Sequence, residues 1–505
     1  GLSSGAANVL IEVDRAQAIL HAVLSANAED IVLLAGKGHE AYQEVSGQRT
    51  AFDDGQWAQA GLMLRQECSV QTDSRKLDAG SVFVALRGDN FDGHDYLEQV
   101  AASGAVAAIV DQTNPQVALP QIALGDTRTA LLTLGRAWRK KFVLPIIAVT
   151  GSNGKTTTKE MIASILAEWV GEPNRLATMG NLNNELGVPL TLLRLRSHHQ
   201  VAVIELGMNH PGEIAVLGGV TLPTVALVNN AQREHQEFMV SVEAVARENA
   251  AVFDSLMPGG VKVYPADDTF TTLWNDLSGQ HASSTFGLTA PARVWASDID
   301  SDVLGSSFVL HTPVGQAEIA LPVPGMHNVR NALAATACAL ASGASLASVV
   351  QGLQKFRAAN GRMQPHRLQD GRVLIDDTYN ANPDSVRAAI DVLASLPAPR
   401  VLVLGDMGEV GDNGPAMHTE VGAYARSRGI DTLLTLGEAT RASALAFGQG
   451  ARHCDSPEQI CEMLGKMVIA SLLVKGSRFM RMERVVRGYT EQFGTTPGEV
   501  VKHAV

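Results

Sequence analysis

The sequence predicts an α/β protein of about three domains, built on parallel sheets with helices on both faces. Three observations predict it. Short apolar, β-branched runs recur along the chain. Longer helical stretches separate most of them. The 505 residues suffice for three domains, at roughly 150 residues each. The runs begin at Val82 (VFVAL), Ala105 (AVAAIV), Ile146 (IIAV), Val201 (VAVI), Val225 (VALV), Val373 (VLID), Val401 (VLVL) and Thr432 (TLLTL). Such continuous runs suit strands buried on both faces. Breaks are expected near Leu144-Pro145 and at the PVPG run, Pro322 to Gly325.

Composition narrows the function. Hydrophobic residues make up 46% and charged residues 18%, enough apolar matter for real cores. The net charge of -12 argues against a nucleic-acid backbone as partner, because that needs clustered Lys and Arg. Four cysteines without a CxxC pair favour a reduced, cytoplasmic setting. The uncharged run from Asn331 to Val350 is long enough to span a bilayer. It consists of Ala, Ser, Thr and Gly, so a buried helix is expected and no membrane span. The sequence opens on Gly1 rather than Met, so a cut or engineered start is expected.

The strongest chemical signal is IIAVTGSNGKTTTKEMIASILAEW, Ile146 to Trp169. A buried strand runs into a glycine-rich loop and then a helix, with Met161, Ile162, Ile165, Leu166 and Trp169 at helical spacing. Gly151, Ser152, Asn153 and Gly154 let backbone N–H groups approach phosphate oxygens. Lys155 adds a positive charge, Thr156 a hydroxyl for Mg²⁺, Thr157 a further donor at the helix start. Val149 stands where the standard pattern GxxxxGK[ST] has its first Gly. No Asn-Lys dipeptide occurs anywhere, which weakens a guanine-reading switch GTPase.

Further motifs follow in order: GNLNNELGVPLTLL (Gly180), VIELGMNHPGEI (Val203), VNNAQREH (Val228), PVPGMHNVRNALAA (Pro322), IDDTYNANPDS (Ile375), LGDMGEVG (Leu404) and LLVKGSRFMRME (Leu472). With TDSRK at Thr72, this set resembles the Mur ligase family, over about Gln71 to the C-terminus. The nearest branch adds D-alanyl-D-alanine to UDP-N-acetylmuramoyl-tripeptide. The resemblance implies a small UDP-sugar domain at 65–143, a central ATPase at 144–323 and a Rossmann-like domain at 324–505. It implies ATP and Mg²⁺ as cofactors and the two substrates as small-molecule partners. A monomer is expected, with other cell-wall enzymes as candidate partners.

The chemistry can be rebuilt from residue types. A carboxylate is a poor electrophile at neutral pH, so ATP must phosphorylate it before an amine attacks. Lys155 is then expected to clamp the β/γ-phosphates. Glu205 ends the apolar strand VAVIE at the carboxyl edge, where ligands bind in open α/β sheets. By resemblance Glu205 and His235 are Mg²⁺ ligands with Thr156. Asn331 is expected to read adenine, with His327 beside it and Asn328 as a helix cap. Arg362 resembles the arginine that reaches the γ-phosphate. Asp377, Tyr379, Asn380 and Asn382 form a polar cluster after VLID, read as nucleotide and acceptor binding. Ser74, Arg75, Asn181 and Asn183 resemble UDP-substrate contacts. Lys475, Ser477 and Arg478 either face the dipeptide or form a structural turn.

Two departures stand out. The family places a carbamylated lysine in the helix after the histidine, and Asn249 takes that place here in VARENAAVF. The second Mg²⁺ is therefore expected to be held without it, or by Glu248 or another carboxylate. The second departure is the opening of the chain. DRAQAILHAVLSANAEDIVLLAGKGHE and SPEQICEMLGKMVIASLLVKGSR both read as helix, strand and KG, aligning Lys37-Gly38 with Lys475-Gly476. AGKGHEAYQ resembles the end of the family branch that adds meso-diaminopimelate, in which Gly36 and Glu40 would contact the amino acid. Residues 1–64 are thus expected to be an inactive remnant of such a ligase, flexible or packed on the rest, from a fusion of two ligases. Only about Trp57 to Gln71 is left for the first element of the UDP domain. A folate polyglutamate ligase and a non-catalytic nucleotide-binding scaffold are the rival functions.

Overall fold

The computed structural model describes residues 9–37, 40–277, 279 and 281–494. They fall into two compact units: residues 1–144, 176–204 and 219–222 form the first, and 145–175, 205–218 and 223–505 the second.

The first unit carries a four-stranded parallel sheet: Val70–Gln71, Val82–Val84, Ala107–Val110 and Gln121–Ala123, in that spatial order. Its inner strands are fully apolar and buried, as VFV and AAIV require. The helix Asp54–Leu64 supplies the element that was short in the sequence. Asp53 caps it, and Gln56 Oε1 accepts from Ala123 N–H at the sheet edge, 2.8 Å.

The opening residues are partly packed. The helix Arg15–Ser25, capped by Asp14, buries Ile19, Leu20, Val23 and Leu24. Gln17 Nε2 donates to the Thr133 carbonyl on the helix Thr127–Lys140, 2.8 Å, and Lys140 pairs with Glu12, 2.9 Å. Arg65 donates to the Val23 and Ala26 carbonyls. A hairpin, Tyr42–Val45 with Gln48–Ala51, turns through Ser46 and Gly47 at φ 52° and 79°. Two consecutive positive φ values mark a type I′ turn.

The expected strand at Ile31 does not form. Residues 31–34 have no strand assignment, and Ile31 and Leu33 are 95% and 84% exposed. A buried parallel strand needs paired strands for its backbone groups, and among the described residues none pairs with this segment. The later copy of the same pattern, Ser471–Lys475, is buried throughout between two parallel neighbours, Val373–Asp377 and Arg400–Gly405. Of the KG pair, Gly38 lies outside the described residues. Lys37 donates to the Phe52 carbonyl and stacks over the Phe52 ring, 5.0 Å to its centroid.

The second unit has two sheets. Ile146–Thr150, Val225–Val228, Val261–Pro265, Ala282–Gly287 and Val294–Ser301 run parallel, extended by the antiparallel strands Ser306–Thr312 and Gly315–Leu321. The other sheet has the order Gln364–Arg367, Val373–Asp377, Ser471–Lys475, Arg400–Gly405, Thr432–Leu436, Ala451–Cys454. Only its first pair is antiparallel. The Ala-rich run is helical, in Met326–Ala341 and Leu346–Lys355. Among the described residues, no helix is long and apolar enough to cross a membrane.

Leu20 is fully buried. Leu20→Ala should therefore destabilise the chain by about 2–5 kcal/mol. Urea unfolding of the full chain checks this; an unchanged midpoint would mean that the Arg15–Ser25 helix is not part of the cooperative fold.

Candidate active site

The phosphate-type loop lies at the carboxyl end of Ile146–Thr150, and the helix Lys155–Val170 follows it. Side-chain amides hold its shape. Asn249 Oδ1 accepts from Gly151 N–H at 2.7 Å, and its Nδ2 donates to the Val245 carbonyl. Asn230 accepts from Ser152 and Asn153 N–H through its carbonyl and Oδ1. Asn229 Nδ2 donates to the Asn153 carbonyl and to Asn331 Oδ1. Gly154 sits at φ 78°, and a Cβ there would meet Asn331 Oδ1 at 2.5 Å. Only glycine fits that position. The helix start offers first-turn N–H groups that have no carbonyl one turn back.

Charged groups surround the loop. Thr156 Oγ1 donates to Glu205 Oε1, 3.0 Å, and both residues are buried. Leu206 N–H bonds the Val149 carbonyl, which seats Glu205 beside the loop. Lys155 Nζ donates to the Gly151 and Ser152 carbonyls and lies 3.3 Å from Glu234 Oε2. His235 has φ 48°, an uncommon conformation for a residue with a Cβ, and its Nδ1 lies 2.8 Å from Glu409. The imidazole holds the Glu409 carboxyl below its ordinary range.

Asn249 and Glu248 are both engaged within the chain. Asn249 is buried and braces the loop. The two Glu248 oxygens accept from the N–H groups of Gly212 and Ile214.

The second sheet of this unit brings in the remaining residues. Asp377 accepts from Met363 N–H and pairs with Lys475, whose Nζ also donates to the Asn380 carbonyl. Ser477 donates to the Ala381 carbonyl and accepts from Gly408 N–H. Lys475 and Ser477 are therefore buried turn staples, while Arg478 is exposed and reaches Glu483. Arg362 stacks on Tyr379, 3.9 Å from the ring centroid. Asn382 caps the helix Pro383–Ser395, and its Nδ2 donates to Asn153 Oδ1 at 2.8 Å. His327 is held below the usual imidazole range by burial. Asn328 is not the cap of the helix Met326–Ala341; its Nδ2 donates to the Pro324 carbonyl. Asn331 is buried and bonded to Asn229 and Asn328. Gly151, Ser152, Asn153, Thr156, Glu205, His235 and Asn331 thus gather at the loop. Asn380 is exposed, and its carbonyl accepts from Lys475.

In the first unit, Ser74 and Arg75 lie in a short 3₁₀ turn capped by Asp73. The Arg75 guanidinium pairs with Asp73 and holds its carboxyl down to about 2. Asn181 and Asn183 lie in one turn, where Asn183 N–H donates to the Asn181 carbonyl. Gly36 is at φ 88°, and Glu40 is exposed.

Glu234, Arg233 and Glu409 are site residues that motif reading missed, although all three lie inside quoted motifs. Arg233 bonds Asp384 at 2.6 Å and Glu420 at 2.7 Å, and Arg387 also bonds Glu420. This clamp ties the loop after Val225–Val228 to the helices Pro383–Ser395 and Gly414–Ser427. Among the described residues, no group of three or more His, Cys, Asp or Glu forms a metal cage. Mg²⁺ does not require one, since it takes one or two carboxylates with phosphates and waters.

Family models match three stretches: the Mur ligase family, catalytic domain, at 69–138; the Mur ligase middle domain at 149–339; and the Mur ligase, glutamate ligase domain, at 361–478. The chain is 41% identical over 427 residues to the UDP-N-acetylmuramoyl-tripeptide–D-alanyl-D-alanine ligase of Escherichia coli K12, covering 84% of this chain and 94% of that one. It is 33% identical to the enzyme of that name from Bacillus subtilis, covering 84% and 93%. Among solved structures it resembles MurF from Acinetobacter baumannii, with TM-score 0.79, 36% identity, and coverage of 85% and 98%. These comparisons give no support to a second-ligase origin for residues 1–64.

Arg233 and Arg387 hold the Glu420 carboxyl at about 2, against an ordinary 4.5. A lowered folded-state value means stability present above 4.5 and lost as pH falls toward 2. Melting temperatures between about pH 5 and pH 3 should therefore fall more steeply for the wild type than for Glu420→Gln; parallel slopes would show that the clamp contributes no acid sensitivity.

Proposed function

Because the chain belongs to the Mur ligase family, an ATP-dependent group of ligases in peptidoglycan synthesis, we propose that it joins D-alanyl-D-alanine to the C-terminal carboxylate of UDP-N-acetylmuramoyl-tripeptide. The products are the UDP-linked pentapeptide, ADP and phosphate. The observation that carries this reading is the 41% identity to a ligase of that specificity over 94% of its length. The braced phosphate loop and the Arg233 clamp support it.

In the proposed reaction a carboxylate oxygen attacks the γ-phosphorus and ADP leaves. The dipeptide amine then attacks the acyl carbon, and phosphate leaves with the attacking oxygen. Lys155 turns from the loop carbonyls to the β/γ-phosphates. Arg362 reaches the γ-phosphate, and His327 and Asn331 flank the base. Asp377, Tyr379, Asn380 and Asn382 line the nucleotide and acceptor side; Lys475 and Ser477 hold that cluster in place, and Arg478 faces the stem. Ser74, Arg75, Asn181 and Asn183 bind the uridine nucleotide. The hard-oxygen set of Thr156 and Glu205, with His235 close by, fits Mg²⁺. When bound, Mg²⁺ neutralises triphosphate charge. Every residue in this account otherwise binds, orients or excludes water.

The domains follow as 65–143 for the UDP-sugar, 144–323 for ATP and 324–505 for closure. The reading places the work in the cytoplasm, with a monomer as the acting form. Residues 1–64 are read as an inactive remnant of a diaminopimelate-adding ligase, on the likeness of AGKGHE alone; its Gly36 and Glu40 then serve no pocket here.

Phosphate release is the test. The chain should release phosphate with ATP, UDP-N-acetylmuramoyl-tripeptide and D-alanyl-D-alanine together, and Lys155→Ala should lower kcat by at least about 10²-fold. No release, or release with folate and glutamate instead, would overturn the reading. Diaminopimelate should not be added to the dipeptide precursor; its addition would overturn the remnant assignment.

A further inference from the structure

Glu234 is a buried carboxylate that the reaction as described does not use. It is 6% exposed, and its Oε1 has no hydrogen-bond partner. Its Oε2 lies 3.3 Å from Lys155 Nζ and 3.8 Å from His235 Nε2. A carboxylate withdrawn from water with an oxygen unfilled is costly. Such a group persists where a cation or donor arrives to fill it. The ion pair with Lys155 balances both charges while the loop holds no triphosphate. Once Lys155 turns to phosphate, Glu234 is left as an uncompensated anion beside the loop.

Apart from Glu205, which sits against Thr156, three neighbouring groups are otherwise engaged. Asn249, at the position of the family lysine, is neutral and locked on Gly151 N–H. Glu248 is engaged as a helix cap. Glu409 is held by His235. The left-handed backbone at His235 fixes the turn that directs Glu234 and His235 to the same side of the loop. We propose that Glu234 is a metal ligand of this chain, giving a nucleotide-bound divalent cation a second protein carboxylate oxygen beside that of Glu205. The proposal rests on the ligase reading for the nucleotide and goes beyond it in the donor.

The test is Mn²⁺ binding to the full chain with a non-hydrolysable ATP analogue, followed by electron paramagnetic resonance. Wild type and Glu234→Gln are compared, with Glu234→Asp as the charge-preserving variant. Glu234→Gln should weaken one Mn²⁺ site by at least about tenfold, while metal-free analogue binding holds or tightens because Lys155 is released. Glu234→Asp should recover part of the loss, and it carries the comparison if the Gln variant fails to fold. Unchanged Mn²⁺ affinity in both variants overturns the proposal, as does equal weakening of metal-free nucleotide binding, which would mark Glu234 as a support for Lys155 only. The two readings fail separately: a wild type that ligates but shows no Glu234 dependence sinks this inference alone. Glu234-dependent Mn²⁺ binding without ligation sinks the proposed reaction alone.

Discussion

The site depends on a backbone loop held open by neutral amides. Gly151 N–H bonds Asn249, and Ser152 and Asn153 bond Asn230. Asn229 and Asn331 close on Gly154, where no Cβ fits. Amides can brace a loop without adding charge, so the field at the loop is left to Lys155 and the helix start. The acidic groups Glu205 and Glu234 sit beside the loop, against Thr156 and Lys155. The division is consistent: neutral side chains fix geometry, and charged ones are kept for the ligand.

The same economy explains the clamp. Arg233 sits next to Glu234 and His235, and its guanidinium bonds two carboxylates on helices of the second sheet. Asn382 serves both as a helix cap and as a partner of Asn153. The loop, the Glu234–His235 segment and the Asp377–Lys475 cluster are therefore coupled through short polar contacts. Disturbing one would shift the others.

Much of the fold was legible. All the apolar runs quoted beyond residue 81 became strands, because β-branched residues in unbroken runs need burial on two faces. Ile31 to Leu34 carries the same pattern and failed, because strand identity also needs a paired strand, and among the described residues none pairs there. Lys155, Thr156 and Glu205 were readable from local motif and strand position. Glu234 and Glu409 were not: their contacts, with Lys155 and His235, arise from approach of segments far apart in the chain, which no local pattern encodes. For Lys475 and Ser477 the sequence left ligand contact and structural turn both open; both are buried and bonded within the chain, and a sequence does not reveal which polar groups find such partners.

The most direct measurement follows an oxygen atom. The terminal carboxylate of the UDP-linked tripeptide is labelled with ¹⁸O, and turnover is run with ATP and D-alanyl-D-alanine. The account predicts one labelled oxygen in each released phosphate, because a carboxylate oxygen becomes the bridge to phosphorus and stays with it when the amine attacks. Unlabelled phosphate accompanying pentapeptide formation would contradict it, since the carboxylate would then never have been bonded to phosphorus.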